Sequence, residues 1–158
     1  RQLYMRALEL DPGYAFAYNN LANLLQSKEL VRLHDGTQWG RRELYVAAIE
    51  LDPTYAVAYN NLGVALEPGD EVRFPDGTVW DKQALHVRAL ELHPGHVCAY
   101  RDLAASLGPG EGVFLADNCF WDRKELLLKA LELEPLNARS FSLLGETLQK
   151  SEQLCLSD

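Results

Sequence analysis

The sequence predicts an all-α fold, an α-solenoid of helix pairs with a short β-hairpin inserted between the two helices of each pair. Three observations predict it. Pro12, Pro53, Pro94 and Pro135 recur every 41 residues, and Trp39, Trp80 and Trp121 keep the same interval. Self-similarity at a fixed period marks a repeat architecture. On either side of each Trp-bearing insert the apolar residues follow i, i+3, i+4 steps, while the insert alternates around an Asp-Gly or Asp-Asn turn.

The period divides the chain into one array. Residues 1–12 are the second helix of a truncated unit, 13–53, 54–94 and 95–135 are full units, and 136–158 are a partial unit. Within a unit, "PTYAVAYNNLGVAL" reads as helix A, with Pro53 at its head, where a missing N–H costs nothing. Ala56, Tyr59, Leu62, Gly63 and Leu66 form its apolar stripe. "DKQALHVRALELHP" reads as helix B, with Leu85, Ala89, Leu90 and Leu92 on its buried side. Asp81 and Asp122 stand at its N-cap, and Asp122 with Glu125 has capping-box spacing. Trp80 before the cap and Leu85 after it have the spacing of a hydrophobic staple, repeated by Trp39 with Leu44 and Trp121 with Leu126. The three tryptophans are therefore assigned a structural role, fixing where the chain enters helix B.

Parity sets the hairpin register. A three-residue loop on Pro75-Asp76-Gly77 pairs Phe74 with Thr78 and Val72 with Trp80, gathering the apolar residues on one face. The same rule pairs Val31 with Trp39 and Leu33 with Thr37, then Val113 with Trp121 and Leu115 with Cys119. An isolated hairpin is marginal in water. The Trp is expected to lie on the helix ends and the strands on the next hairpin, forming a ribbon along one edge. The array opens with Leu3–Leu10 as a helix B and closes on "SEQLCLSD", which aligns with "KELVRLHD" as half a hairpin. Arg1 stands first, not Met, so the chain reads as a piece of a protein continuing in both directions, with terminal repeats exposed for self-association.

A formal net charge of −8 argues against nucleic acid and anionic membranes as partners, and no apolar run reaches transmembrane length. Cys98, Cys119 and Cys155 are three widely spaced thiols without a CxxC pair, which suits free thiols in a reducing, cytoplasmic setting. Cys98 reads as a buried stand-in for Ala. No phosphate loop, HExxH or GxSxG is present, so no catalytic residue, cofactor or metal site is assigned. His93 and His96 straddle Pro94-Gly95 without further ligands, and the Asp-Gly-Thr tripeptides read as turns. Glu9, Glu50, Glu91 and Glu132 recur, three of them with a base three residues earlier, as a solvated face.

Tyr18, Leu21 and Ala22 recur as Tyr59, Leu62 and Gly63, as Tyr100, Leu103 and Ala104, and as Phe141, Leu144 and Gly145. With "ALELDP", "AIELDP", "ALELHP" and "ALELEP", these residues resemble the tetratricopeptide repeat family. The chain departs from a usual unit of about 34 residues, and Arg41, Lys82 and Arg123 stand where a small residue is expected early in helix B. The resemblance implies a right-handed superhelix whose helix A lines a concave groove, and a non-catalytic, protein-binding role. It assigns Asn20, Asn23, Asn61 and Asp102 to that groove, the asparagines as readers of a peptide main chain. The family's clamp for chaperone tails needs cations where Asn19, Cys98 and Asp102 stand, so that use is not expected. "AYNNLG" is also consensus in members without a known peptide. The function expected is a scaffold for a partner peptide or helix. The alternatives are a recognition array of a larger enzyme, or a structural array that self-assembles through its hairpin edge.

Overall fold

A computed structural model describes residues 1–156. Eight helices alternate with three hairpins among these residues, in a helical repeat fold. Helix α1 (Gln2–Leu10) precedes three similar units. The first contains α2 (Ala15–Asn23), β1 (Val31–Arg32), β2 (Gln38–Trp39) and α3 (Arg41–Leu51). The second contains α4 (Ala56–Ala65), β3 (Glu71–Arg73), β4 (Val79–Asp81) and α5 (Lys82–Leu92). The third contains α6 (Val97–Ser106), β5 (Gly112–Phe114), β6 (Phe120–Asp122) and α7 (Arg123–Leu133), and α8 (Ala138–Leu156) follows. Each helix packs on its sequence neighbours, α2 to α7 on both sides and α1 and α8 on one.

One continuous core runs through the units. Leu21, Leu62 and Leu103 from the first helices meet Leu44, Leu85 and Leu126 from the second, all fully buried. Each such leucine contributes about 2 kcal/mol on leaving water. Ala48, Ala89 and Ala130 have no exposed surface, which lets the helices approach closely. Leu92 lies only half buried at the end of α5. The second helices of the last two full units start as expected. Asp81 accepts from the Ala84 N–H at 2.7 Å, and Asp122 and Glu125 form a reciprocal capping box.

The first helices start later than Pro53 suggests. α4 begins at Ala56, and Pro53 sits in the preceding turn. There the Asp52 carboxylate accepts from the N–H and hydroxyl of Thr54, and the Tyr55 N–H donates to the Asp52 carbonyl. Proline suits the second position of such a β-turn.

The hairpin register is the one parity requires. Val31 faces Trp39, Val72 faces Trp80 and Val113 faces Trp121. The N–H groups of Leu33, Phe74 and Leu115 donate to the carbonyls of Thr37, Thr78 and Cys119. Gly36, Gly77 and Asn118 hold the left-handed turn position at φ of 86°, 87° and 56°. Asp35, Asp76 and Asp117 each accept from the N–H two residues on, so the Asp-Gly-Thr hydroxyl is a supplement to the turn.

Two expectations fail. The hairpins form no ribbon; they remain three separate two-stranded sheets. Val31, Leu33 and Phe74 are buried in the helical core instead, which satisfies the apolar face of the first two hairpins within the array. Residues 151–156, aligned above with half a hairpin, continue α8. "SEQLCLSD" has neither the valine nor the Asp-Gly turn of the other inserts and is rich in helix formers; residues 157–158 of that alignment lie outside the described residues.

Candidate functional site

The first helix of each unit carries two polar residues immediately after its core aromatic: Asn19-Asn20 in α2, Asn60-Asn61 in α4 and Arg101-Asp102 in α6. Adjacent residues on a helix point about 100° apart, so the two members of each pair have different neighbours. Asn19 is 2% exposed and Asn60 3%, while Asn20, Asn61 and Asp102 are half buried.

The buried member of one unit bonds the outer member of the next. The Asn61 side-chain amide donates to Asn19 Oδ1 at 2.9 Å, and one period later the Asn60 amide donates to Asp102 Oδ2 at 3.2 Å. Asn19 also donates to the Tyr55 hydroxyl at 3.4 Å, and Asp102 Oδ1 accepts from Arg101. Together these bonds make a ladder from α2 to α6.

His86 of α5 joins the ladder from below. Its Nδ1 lies 2.9 Å from Asn60 Oδ1. The Asn60 amide nitrogen is committed to Asp102, so its oxygen faces the imidazole and His86 Nδ1–H is the donor. Burial pulls the His86 pKa down to about 4, against a smaller opposing pull from Asp102. The imidazole is neutral at pH 7. Burial also lowers the pKa of His96, whose ring lies 6.0 Å from that of His93.

Asn20 and Asn23 have local partners. Asn20 donates to the Phe16 carbonyl one turn back, and Asn23 Oδ1 accepts from the Tyr45 hydroxyl at 2.7 Å. No hydrogen bond joins Asn20, Asn23, Asn61 and Asp102 to one another among the described residues. Among the described residues, Asn20 and Asn61 each keep a side-chain oxygen without an intramolecular partner. Sequence reasoning missed the buried Asn60 and His86. The doubled Asn-Asn of two units was the available signal, since adjacent residues on a helix point about 100° apart and only one of the two can face away from the core.

Trp39, Trp80 and Trp121 rest against Tyr18, Tyr59 and Tyr100, with ring centroids 5.8, 5.7 and 6.2 Å apart. Such a pair contributes about 1 kcal/mol beyond its buried area. The half-buried position of each indole on the core places it between hairpin and helix A. The Arg41 guanidinium carbon lies 5.9 Å from the Tyr45 ring centroid, so at a position where a small residue was expected the cationic head lies over an aromatic. Cys98 is exposed, against expectation. The buried stripe of α6 runs through Ala99, Tyr100, Leu103 and Ala104, and the register of Cys98 also exposes Phe16 and Val57.

Helix pairs repeated along one core, with a polar ladder on their first helices, define a helical repeat protein of the kind that offers surface for binding. The tetratricopeptide repeat model matches residues 3–37 and 44–74, and this match over two repeats supports a protein of the tetratricopeptide repeat kind. Tetratricopeptide repeats generally mediate protein–protein interaction and are typically non-catalytic. No curated protein matches the chain. Among the described residues no helix is long and apolar enough to cross a membrane.

Proposed function

We propose that the chain is a non-catalytic interaction scaffold, a solenoid that binds an extended partner segment along its first helices. The observation that carries this reading is the pair of half-buried amides, Asn20 and Asn61, one period apart, each held by one bond with its carbonyl oxygen unspent. An amide fixed in this way accepts from a peptide N–H without first losing rotational freedom. Asp102, one period further, accepts in the same register, and Asn23 lies at the exposed end of α2. The ladder reads main chain, so it selects for an extended segment more than for its side chains. The exposed thiols of Cys98 and Cys119 suit a reducing compartment such as the cytoplasm.

The test is selection of binders from a random-peptide display library on the intact chain, followed by calorimetry. Asn61→Ala is expected to weaken a selected peptide by about 1 kcal/mol or more, about fivefold or more, as a hydrogen-bond partner is lost. The far-ultraviolet spectrum stays unchanged. Unaltered affinity in Asn61→Ala, or failure to select any peptide, overturns the groove reading.

A further inference from the structure

Between the first and second units lies an open pocket of about 380 Å³, lined chiefly by Tyr59, Phe74, Trp80, Pro53, Glu50 and Asp76. None of the helix A asparagines lines it. Its walls are largely aromatic and its two charged lining residues, Glu50 and Asp76, are negative; the Arg88 guanidinium, paired with Glu91, interacts with Tyr59 without lining the cavity. The Trp80 ring lies 5.7 Å from that of Tyr59 and 6.2 Å from that of Phe74.

Comparison along the repeat shows what is particular to this pocket. Glu9, Glu91 and Glu132 are each bound by a cation three residues earlier, Arg6 at 2.6 Å, Arg88 at 2.9 Å and Lys129 at 2.9 Å. At Glu50 that earlier position is Ala47, and among the described residues Glu50 forms no ion pair. The Asp76 carboxylate spends one oxygen on the N–H and hydroxyl of Thr78, and the other has no partner among the described residues. In the third unit the matching Asp117 turns its second oxygen onto the Trp121 indole N–H at 3.1 Å. Phe74 is likewise particular to this unit, since Leu33 and Leu115 stand at its register. A third aromatic ring, an unpaired glutamate and a half-used aspartate thus meet in one cavity.

We propose that this pocket receives an arginine side chain from a basic segment of a partner protein. Aromatic faces attract a cation through their quadrupole, more strongly when it leaves water. A planar guanidinium stacks on such a face, and its five N–H donors serve two separate carboxylates at once, which a lysine ammonium does less well. The chain's net charge of −8 draws a basic segment towards it. The site is separate from the asparagine ladder, so it stands or falls independently of the groove reading.

The experiment is a titration of the ¹⁵N-labelled chain with N-acetyl-arginine amide, following the three indole N–H resonances. The neutral isostere N-acetyl-citrulline amide and N-acetyl-lysine amide run in parallel. The Trp80 indole is expected to shift saturably with the arginine probe, while Trp39 and Trp121 hold still and citrulline has no effect. Glu50→Gln weakens the arginine probe about two- to fivefold, the scale of a partly exposed charge contact; Glu91→Gln leaves it unchanged. Absence of a saturable shift, equal binding of citrulline or lysine, or an unaffected Glu50→Gln variant overturns the proposal.

Discussion

The register that holds Tyr45 in the first unit and Leu127 in the third holds His86 in the second, and one neighbour shows the accommodation. A Cβ on Gly63 would lie 2.8 Å from His86 Cε1, so this first helix needs glycine where Ala22 and Ala104 serve elsewhere. His86 is 1% exposed, and burial lowers its pKa from 6.5 to about 4. A depressed histidine binds its proton first in the unfolded chain. Its stability contribution is therefore full above about pH 6.5 and lost as pH falls towards 4. Between pH 7 and pH 5 this one group removes about 2 kcal/mol. His86→Leu, which places the third unit's residue there, is expected to flatten that dependence in urea unfolding at the two pH values. An equal slope in both proteins would refute the assignment. Of these residues the sequence made the local ones legible. Asp81 and Asp122 act on N–H groups three residues away, so their neighbours in sequence suffice to place them. Asn19 and Asn61 were not legible as partners, because a bond across 42 residues depends on how successive helices pack.

Each hairpin, by contrast, is governed by two elementary constraints, alternation of side chains and one left-handed residue. Both can be read from ten residues, which is why the register followed from parity alone. The helix starts were harder, since proline is equally at home in the first turn of a helix and the second position of a β-turn. The hydrogen bonds from Thr54 to Asp52 decide for the turn. Ion pairs between units show the same limit. Arg1 meets Glu29 and Arg42 meets Asp70, but Gln83 stands at that register opposite Glu111, and no periodicity foretells the contact. The turn geometry makes its own prediction. Gly77 lies at φ 87° with open space around its Cβ position, so Gly77→Ala meets backbone strain and no clash. It is expected to cost about 1 kcal/mol in thermal unfolding. Asn118→Gly, at the matching position, is expected to be neutral or slightly stabilising, and a loss as large as that of Gly77→Ala would discount the turn as the cause.

Across the whole molecule, stability is a sum of similar units and the interfaces between neighbours, so it follows how completely each helix is covered. Helices α4 and α5 are flanked on both sides. They bury Leu62, Leu85 and Leu90, and they share the His86–Asn60–Asp102 network with α6. Helices α1 and α8 are covered on one side. Leu3 is 85% exposed, Phe141 55%, and Gly145 faces open space where its counterpart Gly63 abuts an imidazole. The period revealed the units and their order. It was silent on this gradient, because identical registers carry unequal burial according to how many neighbours they have. Local opening free energies in such an array range from near zero at the least covered helices to the global value at the most covered. Native-state hydrogen exchange is therefore expected to show the slowest amides in α4 and α5, with α1 and α8 exchanging by separate, smaller openings. If the four helices instead exchanged at one common rate under denaturant-free conditions, the units would be melting as a single block. In that case the polar ladder couples the array more tightly than its nearest-neighbour contacts imply.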